Sequence, residues 1–262
     1  MIIASNPVSN LFDIFAANTR PTQPMAKSKD VNINYSSNFA GGTTEIKVTG
    51  GQAIINISED MDGALVASIN DTLHTLNISN DRNNTLIIKT DHYDDSIIIE
   101  NGVKLKARIQ SGAGNDYIKT GDRRSTVDAG DGDNEVHLGA EGGLARGGNG
   151  DDKLYGGGMW NSLAGGKGTN LFSTSLDPRS TTTIDATGTK ETISALAGRA
   201  LIEVSGSADI HVAAGLDKPK IFLGSHSAGS NITLDDPKDA HSNLEISGFT
   251  EGRDTVAIKQ TT

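Results

Sequence analysis

The chain contains no cysteine, so neither disulfide bonds nor thiolate metal sites can stabilise its fold. Aromatic residues make up only 4% of its 262 residues, and proline occurs 6 times. This composition is lean for a globular core packed in all directions. Glycine, in contrast, occurs 31 times beside many Ile, Val and Leu residues. That combination is typical of repetitive β-structure with tight turns.

Positive charge is also in short supply, and the net charge is −10. This argues against nucleic acid or an anionic membrane as the main partner and suits a cation ligand. No apolar run approaches the roughly 18 residues of a membrane span, which predicts no transmembrane segment. The first arginine is Arg20, and Asp13 interrupts the apolar stretch 11–17, so no Sec signal peptide is expected.

The composition and the spacing of β-favouring segments divide the chain into four parts. Residues 1–40 are polar and predict a flexible tail that could carry a secretion signal. Short β-favouring segments then recur within 41–110, tandem repeats fill 111–173, and further β-segments in 174–262 would cap the fold. The evenly spaced segments predict one elongated parallel β-solenoid from about residue 45 to 262. The alternative is a β-roll flanked by two small β-sandwiches. The expected strands lie at 53–57, 64–69, 75–79, 85–89, 96–100, 104–109, 193–197, 201–204, 209–212, 220–223, 231–234, 243–246 and 254–258.

The clearest repeat unit is the nonapeptide 147–155, GGNGDDKLY, which fits the pattern G-G-x-G-x-D-x-U-x with U a large apolar residue. Seven such units run without a gap, starting at residues 111, 120, 129, 138, 147, 156 and 165. Position 2 is always glycine: Gly112, Gly121, Gly130, Gly139, Gly148, Gly157 and Gly166. Position 8 is always apolar: Ile118, Val127, Val136, Ala145, Leu154, Leu163 and Phe172.

A second period of 18 residues lies inside the first. Position 4 is glycine only in the odd-numbered units (Gly114, Gly132, Gly150, Gly168), and position 6 of the same units is Asp116, Asn134, Asp152 or Asn170. Two units therefore make one turn, with the odd loops along one edge, here called the odd edge, and the even loops along the other. Glycine allows positive φ and close approach of carbonyl groups, and the position 6 side chains supply further oxygen atoms. Calcium prefers six to eight such oxygen ligands.

The run 111–173 resembles the RTX, or haemolysin-type, calcium-binding repeats. The resemblance implies a parallel β-roll with Ca²⁺ between loops one turn apart. Carried onto this chain, three ions would lie between Asp116 and Asn134, between Asn134 and Asp152, and between Asp152 and Asn170, beside the glycines at positions 2 and 4. The ending 244–256 is similar to the segment that often closes such proteins. The N-terminus resembles the uncleaved leaders of type III secretion effectors.

Asn134 and Asn170 depart from the family pattern, which has aspartate at position 6. Each expected site then has one position 6 carboxylate, so the affinity should fall, toward dissociation constants of about 10⁻⁴–10⁻³ M. The even edge lacks both the glycine and the acid, which predicts no calcium there. A solenoid that binds no metal is the plainer alternative, although stacked carboxylates without a cation would repel one another.

Other motifs favour structural interpretations. The segment 225–229, SHSAG, resembles a nucleophile elbow but lacks the strand-to-helix context that such an elbow needs, so a polar loop is expected. The six histidines form no H-E-x-x-H or other zinc spacing. The acidic cluster 91–95 is most simply a solvated loop, and a further calcium site there is the alternative.

These observations favour a secreted bacterial calcium-binding protein, exported by a type I or type III route, without catalytic activity of its own. The acidic, glycine-rich repeat would stay loose in a low-calcium cytosol and fold on binding Ca²⁺ outside the cell. The folded surface would meet a host or surface partner, with polysaccharide as one candidate. One alternative is a polysaccharide-binding or polysaccharide-modifying protein with a lyase-like or epimerase-like β-helix. Another is a structural adhesin or matrix protein.

Overall fold

The computed structural model describes residues 28–38, 41–214, 216–224, 229–235 and 244–259 of the chain. These residues form an all-β structure, and none of them belongs to a helix that could cross a membrane. The strands are β1 (Asp30–Asn38), β2 (Gly41–Thr49), β3 (Ile54–Glu59), β4 (Leu65–Ile69), β5 (Thr72–Thr75), β6 (Thr85–Lys89), β7 (Ser96–Ile99), β8 (Lys106–Gln110), β9 (Tyr117–Lys119), β10 (Ser125–Asp131), β11 (Glu135–His137), β12 (Gly142–Asn149), β13 (Lys153–Tyr155), β14 (Trp160–Lys167), β15 (Leu171–Ser173), β16 (Thr181–Ala186), β17 (Lys190–Ala195), β18 (Arg199–Val204), β19 (Ser207–Val212), β20 (Lys220–Leu223), β21 (Asn231–Asp235), β22 (Glu245–Ser247) and β23 (Thr255–Lys259).

Successive strands alternate between two parallel sheets, which makes the molecule a β-solenoid. From β6 onward, every even-numbered strand joins an 11-stranded sheet and every odd-numbered strand joins a 12-stranded sheet. Each turn of the chain thus adds one strand to each sheet. The two sheets run without a break through 41–110, the repeats and the C-terminal region, so the continuous solenoid is confirmed and the flanking β-sandwiches are wrong.

The core is a pair of apolar columns, one on the inner face of each sheet. Strand β8 illustrates the pattern, because it buries Ala107 and Ile109 and exposes the residues between and beside them. Residues that stack in one column are register partners in neighbouring strands. All members are at most 1% exposed: Ile46, Ile88, Ile109, Val127, Ala145, Leu163, Ile184, Ile202 and Ile221 in the first sheet, and Ile55, Ile97, Ile118, Val136, Leu154, Phe172, Ile193, Ile210 and Ile232 in the second. The predicted inward position 8 of all seven repeats is confirmed.

The register also confirms the 18-residue period of the repeats. Ile118, Val136, Leu154 and Phe172 are successive partners in the second sheet, each 18 residues after the last. The period lengthens to 21 residues on both sides, from Ile97 to Ile118 and from Phe172 to Ile193. The connecting loops outside the repeats carry the extra residues.

The N-terminal end departs from the simple solenoid expected. Strand β1 lies within the range predicted as a tail and pairs antiparallel with β2. Strands β4 and β5 add an antiparallel hairpin beside β3. Its two-residue turn is Asn70-Asp71, both with positive φ, which is the backbone of a type I′ turn. The expected strand at 75–79 is wrong beyond Thr75, because the turn places β5 earlier.

One strand after the repeats was also not expected. Strand β16 has the sequence TTTIDA, in which only Ile184 and Ala186 are apolar, so its hydrophobic signal is weak. Its threonines suit the pleated surface of a sheet, and Thr182 is fully buried. The register with β14 and β18 therefore decides its conformation more than its own hydrophobicity does.

Shortening one core side chain should test the columns directly. Leu154 is fully buried, whereas Leu176 is 60% exposed. Leu154→Ala should lower the free energy of unfolding by about 2–5 kcal/mol, because it leaves a cavity in the column. The matched variant Leu176→Ala should change it by less than about 1 kcal/mol. Urea denaturation followed by circular dichroism measures both, and equal losses would contradict the inward placement of Leu154.

Candidate calcium-binding edge

The glycines of the odd loops form two columns of their own at positions 2 and 4. Their φ angles lie between 90° and 129°. A Cβ atom built on Gly130 would lie 1.9 Å from the carbonyl oxygen of Gly112, and one built on Gly132 would lie 2.1 Å from that of Gly114. Only glycine fits such spacing. The same arrangement holds for all eight predicted glycines: Gly112, Gly114, Gly130, Gly132, Gly148, Gly150, Gly166 and Gly168.

The position 6 side chains lie next to these glycines in a buried column. Asp116, Asn134, Asp152 and Asn170 are each 1% exposed. The Oδ1 atom of each accepts a hydrogen bond from the backbone N–H of the residue one turn earlier. Asp116 N donates to Asn134, Asn134 N to Asp152, and Asp152 N to Asn170, each at 2.9 Å. The structure thus brings together all four predicted residues and assigns one oxygen of each to a backbone amide.

The column continues beyond the repeats in both directions, which the sequence analysis missed. Asp95 Oδ1 accepts from Ala53 N at 2.7 Å, and Asp95 N donates to Asp116 Oδ1 at 2.8 Å. At the other end, Asn170 N donates to Glu191 Oε2 at 2.8 Å. Asp95 directly precedes a strand, as Asp116 does, and this feature could have revealed it. Counting in nines could not, because 21 residues separate Asp95 from Asp116.

An outer ladder of position 5 side chains follows the same edge on its solvent side. Asp133 N donates to Asn115 Oδ1 at 2.7 Å, and Asp151 N donates to Asp133 Oδ1 at 2.9 Å. Asn115 N and Thr169 N make the equivalent bonds to Asp94 and Asp151. These side chains accept from the following turn, whereas the inner column accepts from the preceding one. The edge consequently carries acidic groups at two depths.

Three carboxylates of the inner column retain an oxygen atom without a partner. The Oδ2 atoms of Asp95, Asp116 and Asp152 are buried and accept no hydrogen bond from the described residues. Burial, followed by smaller contributions from neighbouring acids, raises the pKa of Asp116 to about 7 and the pKa of Asp95 and of Asp152 to about 6. Burial also raises the pKa of Glu191. A buried carboxylate without a partner is costly, so these groups favour either a proton or a cation.

The available donor atoms fit calcium better than a transition metal. Among the described residues, no group of three or more His, Asp or Glu side chains is placed to hold a metal ion. A cation at this edge would therefore combine one or two carboxylates with backbone carbonyl and amide oxygens. Such hard oxygen ligands suit Ca²⁺, whereas zinc sites use nitrogen and sulfur.

The even edge differs in its electrostatics. Its inner column contains Ser125, Gly143 and Asn161, which carry no charge. Asn161 Oδ1 accepts from Gly157 N at 2.7 Å. At position 4, where the odd loops have glycine, Arg123 forms an ion pair with Glu141 of the next turn. Arg123 thus compensates the charge of Glu141 at this edge.

The acidic cluster 91–95 differs from the solvated loop expected. Asp95 is only 3% exposed, so the interpretation is wrong for this residue. The nucleophile-elbow candidate falls mostly outside the described residues, which include Gly229 but not 225–228. Of the histidines, His137 and His211 pair with Glu135 and Asp235 at part-buried positions on the strands.

Aromatic residues line up along the outer face of the second sheet. His137 stacks on Tyr155 with ring centroids 4.3 Å apart and an interplanar angle of 10°. Tyr117 lies on the other side of His137, with ring centroids 5.6 Å apart. The two stacked rings come from register partners in neighbouring strands, one turn apart.

The buried acids predict an unusual pH dependence of stability without metal. Their folded-state pKa values of about 6 to 7 lie above the ordinary value of 3.8, so the folded chain binds more protons than the unfolded chain between these limits. In chelator, their contribution to the free energy of unfolding should therefore rise as the pH falls from about 8 to about 5, by on the order of a few kcal/mol. Urea denaturation at several pH values measures it. Asp116→Asn should show a smaller rise than the unchanged chain, and equal slopes would overturn the assignment.

Comparison with known proteins does not indicate what this edge binds. The chain matches no protein-family model, no curated protein and no solved structure. What the odd loops bind is therefore inferred from their own oxygen atoms and charges.

Proposed function

We propose that the chain is a secreted bacterial calcium-binding scaffold, without catalytic activity of its own, whose repeats fold on binding Ca²⁺. The observation that carries this proposal is the pair of buried Oδ2 atoms of Asp116 and Asp152, which lack partners beside stacked glycine carbonyls. Calcium would supply the missing partner and would offset the repulsion along the edge. The resemblance of 111–173 to RTX repeats points to the same ligand.

The distribution of core residues explains why the repeats would need a cation. Within one turn of the repeats, residues 139–156, the buried apolar side chains are Ala145 and Leu154. The turn before the repeats is richer and buries Leu86, Ile88, Ile97 and Ile99. Less apolar area is thus buried per turn in 111–173, and its glycines lose more entropy on folding. Bound metal can compensate both deficits.

In this proposal the turns on either side of the repeats fold without calcium. Their inner columns are rich in isoleucine, as Ile184, Ile202 and Ile221 show in the first sheet. In stacked repeats, stability is close to a sum of turn energies and neighbour contacts, so one segment can depend on calcium while its neighbours do not. The folded edge and sheets would then display a long surface to a host or surface partner.

Removal of one carboxylate should weaken calcium binding. Asp152→Asn keeps the hydrogen bond to the backbone of Asn134, because asparagine already occupies the same column at 134 and 170. We expect calcium affinity in the repeats to fall roughly tenfold, which corresponds to about 1.4 kcal/mol. The control Asp128→Asn removes the same charge from the exposed outer face of β10 and should leave affinity unchanged.

Far-UV circular dichroism of the full chain during calcium titration, with magnesium as a parallel titrant, measures this effect. A gain of β-signal with calcium alone, shifted to higher concentration by Asp152→Asn, is the expected result. A β-signal in chelator that calcium does not change would overturn coupled folding, and identical curves for Asp152→Asn and Asp128→Asn would overturn the site.

The reverse substitution should show the opposing effects of charge. Asn134→Asp would place four acids, at 95, 116, 134 and 152, on consecutive turns of the buried column. Calcium should bind roughly tenfold more tightly because the ligand charge increases. Without calcium, the variant should be less stable than the unchanged chain, because like charges repel at short range in a buried site. Urea denaturation with and without calcium measures both; a variant as stable in chelator as the original would contradict the proposal.

A further inference from the structure

The loop 91–95 continues the odd edge although it contains no glycine. Ala113 N donates to the carbonyl oxygen of Asp91 at 2.7 Å. A Cβ atom built on Gly112 would lie 1.9 Å from that same oxygen, and one built on Gly114 would lie 2.4 Å from the carbonyl oxygen of Tyr93. The carbonyls of Asp91 and Tyr93 thus take the places that glycine carbonyls take between later turns.

Asp95 and Asp116 are consecutive members of the inner column, 3% and 1% exposed. Within the repeats an asparagine separates every two aspartates. Among the described residues, Asp95 and Asp116 are therefore the only two acids of the column on consecutive turns, and we call this pair the Asp95–Asp116 rung. Each uses Oδ1 to accept a backbone hydrogen bond, and each leaves a buried Oδ2 without a partner.

Two hydroxyl groups lie near these carboxylates, and each lowers the pKa of one of them: Thr90 that of Asp95 and Ser111 that of Asp116. The Thr90 hydroxyl donates its proton to the carbonyl of Ser111 at 2.9 Å, and the Ser111 hydroxyl donates to the carbonyl of Ala129 at 2.9 Å. A hydroxyl group has one proton to donate, so a bond to either carboxylate would replace the bond to the carbonyl. Neither Oδ2 atom accepts a hydrogen bond from the described residues, and the charge of Asp95 raises the pKa of Asp116.

Two further acids deepen the negative potential of this rung. Asp91 accepts from Gly50 N through Oδ2 at 2.8 Å, while its Oδ1 is buried without a partner. Asp94 accepts from Asn115 N at 2.6 Å. In the part of the chain that the structure describes, no lysine or arginine forms an ion pair with these four acids, and only the His92 side chain lies close, 3.5 Å from Asp91.

We propose that a divalent cation, Ca²⁺, binds between loop 91–95 and loop 112–116 through Asp95 and Asp116, and that this is the tightest calcium site of the molecule. It lies one turn outside the glycine repeats. The inference rests on the calcium-binding function proposed above. It differs in that two column carboxylates serve one site here, whereas each site within the repeats has one. Because a larger negative charge on the ligands raises calcium affinity, we expect this site to bind calcium more tightly than the sites within the repeats.

Matched aspartate-to-asparagine variants in the full chain test the proposal. Asp95→Asn and Asp152→Asn each remove one charge from the same buried column, where Asn134 and Asn170 show that asparagine fits. Isothermal titration with calcium chloride should resolve a tight class of sites and a weaker class. Asp95→Asn should weaken the tight class roughly tenfold or more, and Asp152→Asn should affect only the weaker class.

The outcomes separate this inference from the proposed function. Loss of the tight class in Asp152→Asn but not in Asp95→Asn, or equal losses in both, would overturn the Asp95–Asp116 site while calcium binding by the repeats stands. An unchanged chain that takes up no calcium would overturn the proposed function and this site with it. Far-UV circular dichroism of both variants at saturating calcium verifies that they fold.

Terbium luminescence supplies an independent measure of location. Tb³⁺ is close to Ca²⁺ in size and is excited through nearby tyrosine rings, and Tyr93 belongs to the loop in question. At the lowest terbium concentrations, emission should depend on Asp95 and fall in Tyr93→Phe without a change in affinity. Emission that persists in Asp95→Asn and disappears in Asp152→Asn would place the first ion in the repeats and overturn the proposal.

Discussion

Residues one turn apart lie directly over one another in both sheets and along both edges of the repeats, so each repeat position meets its own counterpart in the next turn. Apolar residues such as Val136 and Leu154 benefit, because like packs on like in a continuous column. Glycine at position 2 becomes obligatory, because a Cβ on Gly130 would lie 1.9 Å from the carbonyl oxygen of Gly112. For buried acids the same stacking is unfavourable, since it places charge over charge. The buried acids of the odd edge are stacked in this way, so the repulsion between them has to be reduced.

Alternation of aspartate and asparagine is one part of that solution. Asn134 and Asn170 accept the same backbone hydrogen bond that Asp152 accepts, at the same 2.9 Å, but carry no charge. The column thus keeps its geometry while its charge is halved within the repeats. The departure from the RTX pattern, which reads as a loss of ligands in the sequence, has a structural benefit because it lowers repulsion when no cation is bound. If calcium binds as proposed, an aspartate at this position would raise calcium affinity and lower the stability of the calcium-free chain.

Much of this arrangement could be predicted, because the repeats encode it locally. The apolar position 8, the positive φ of the glycines and the 18-residue turn all follow from a period that is visible in the sequence. Asp95 and Glu191 were missed because the spacing changes to 21 residues at each boundary, so the register there is set by strand pairing. The antiparallel pairing of β1 with β2 was missed for a similar reason, since nothing in the polar segment 30–38 indicates its partner.

The position of the Asp95–Asp116 rung bears on how the solenoid could assemble. It joins the isoleucine-rich turn that directly precedes the repeats, which buries Ile97 and Ile99, to the first glycine turn. In a stacked array, folding spreads from stable units to their neighbours, and the entropic cost falls on each new turn as it is added. The glycine turns have the weaker core, so the preceding turn is the natural template for them. A cation held by two carboxylates at this junction would stabilise the addition of the first glycine turn to the turn that precedes it. Each later turn would then add one site with one carboxylate, and the edge would close in sequence from Asp95 toward Glu191.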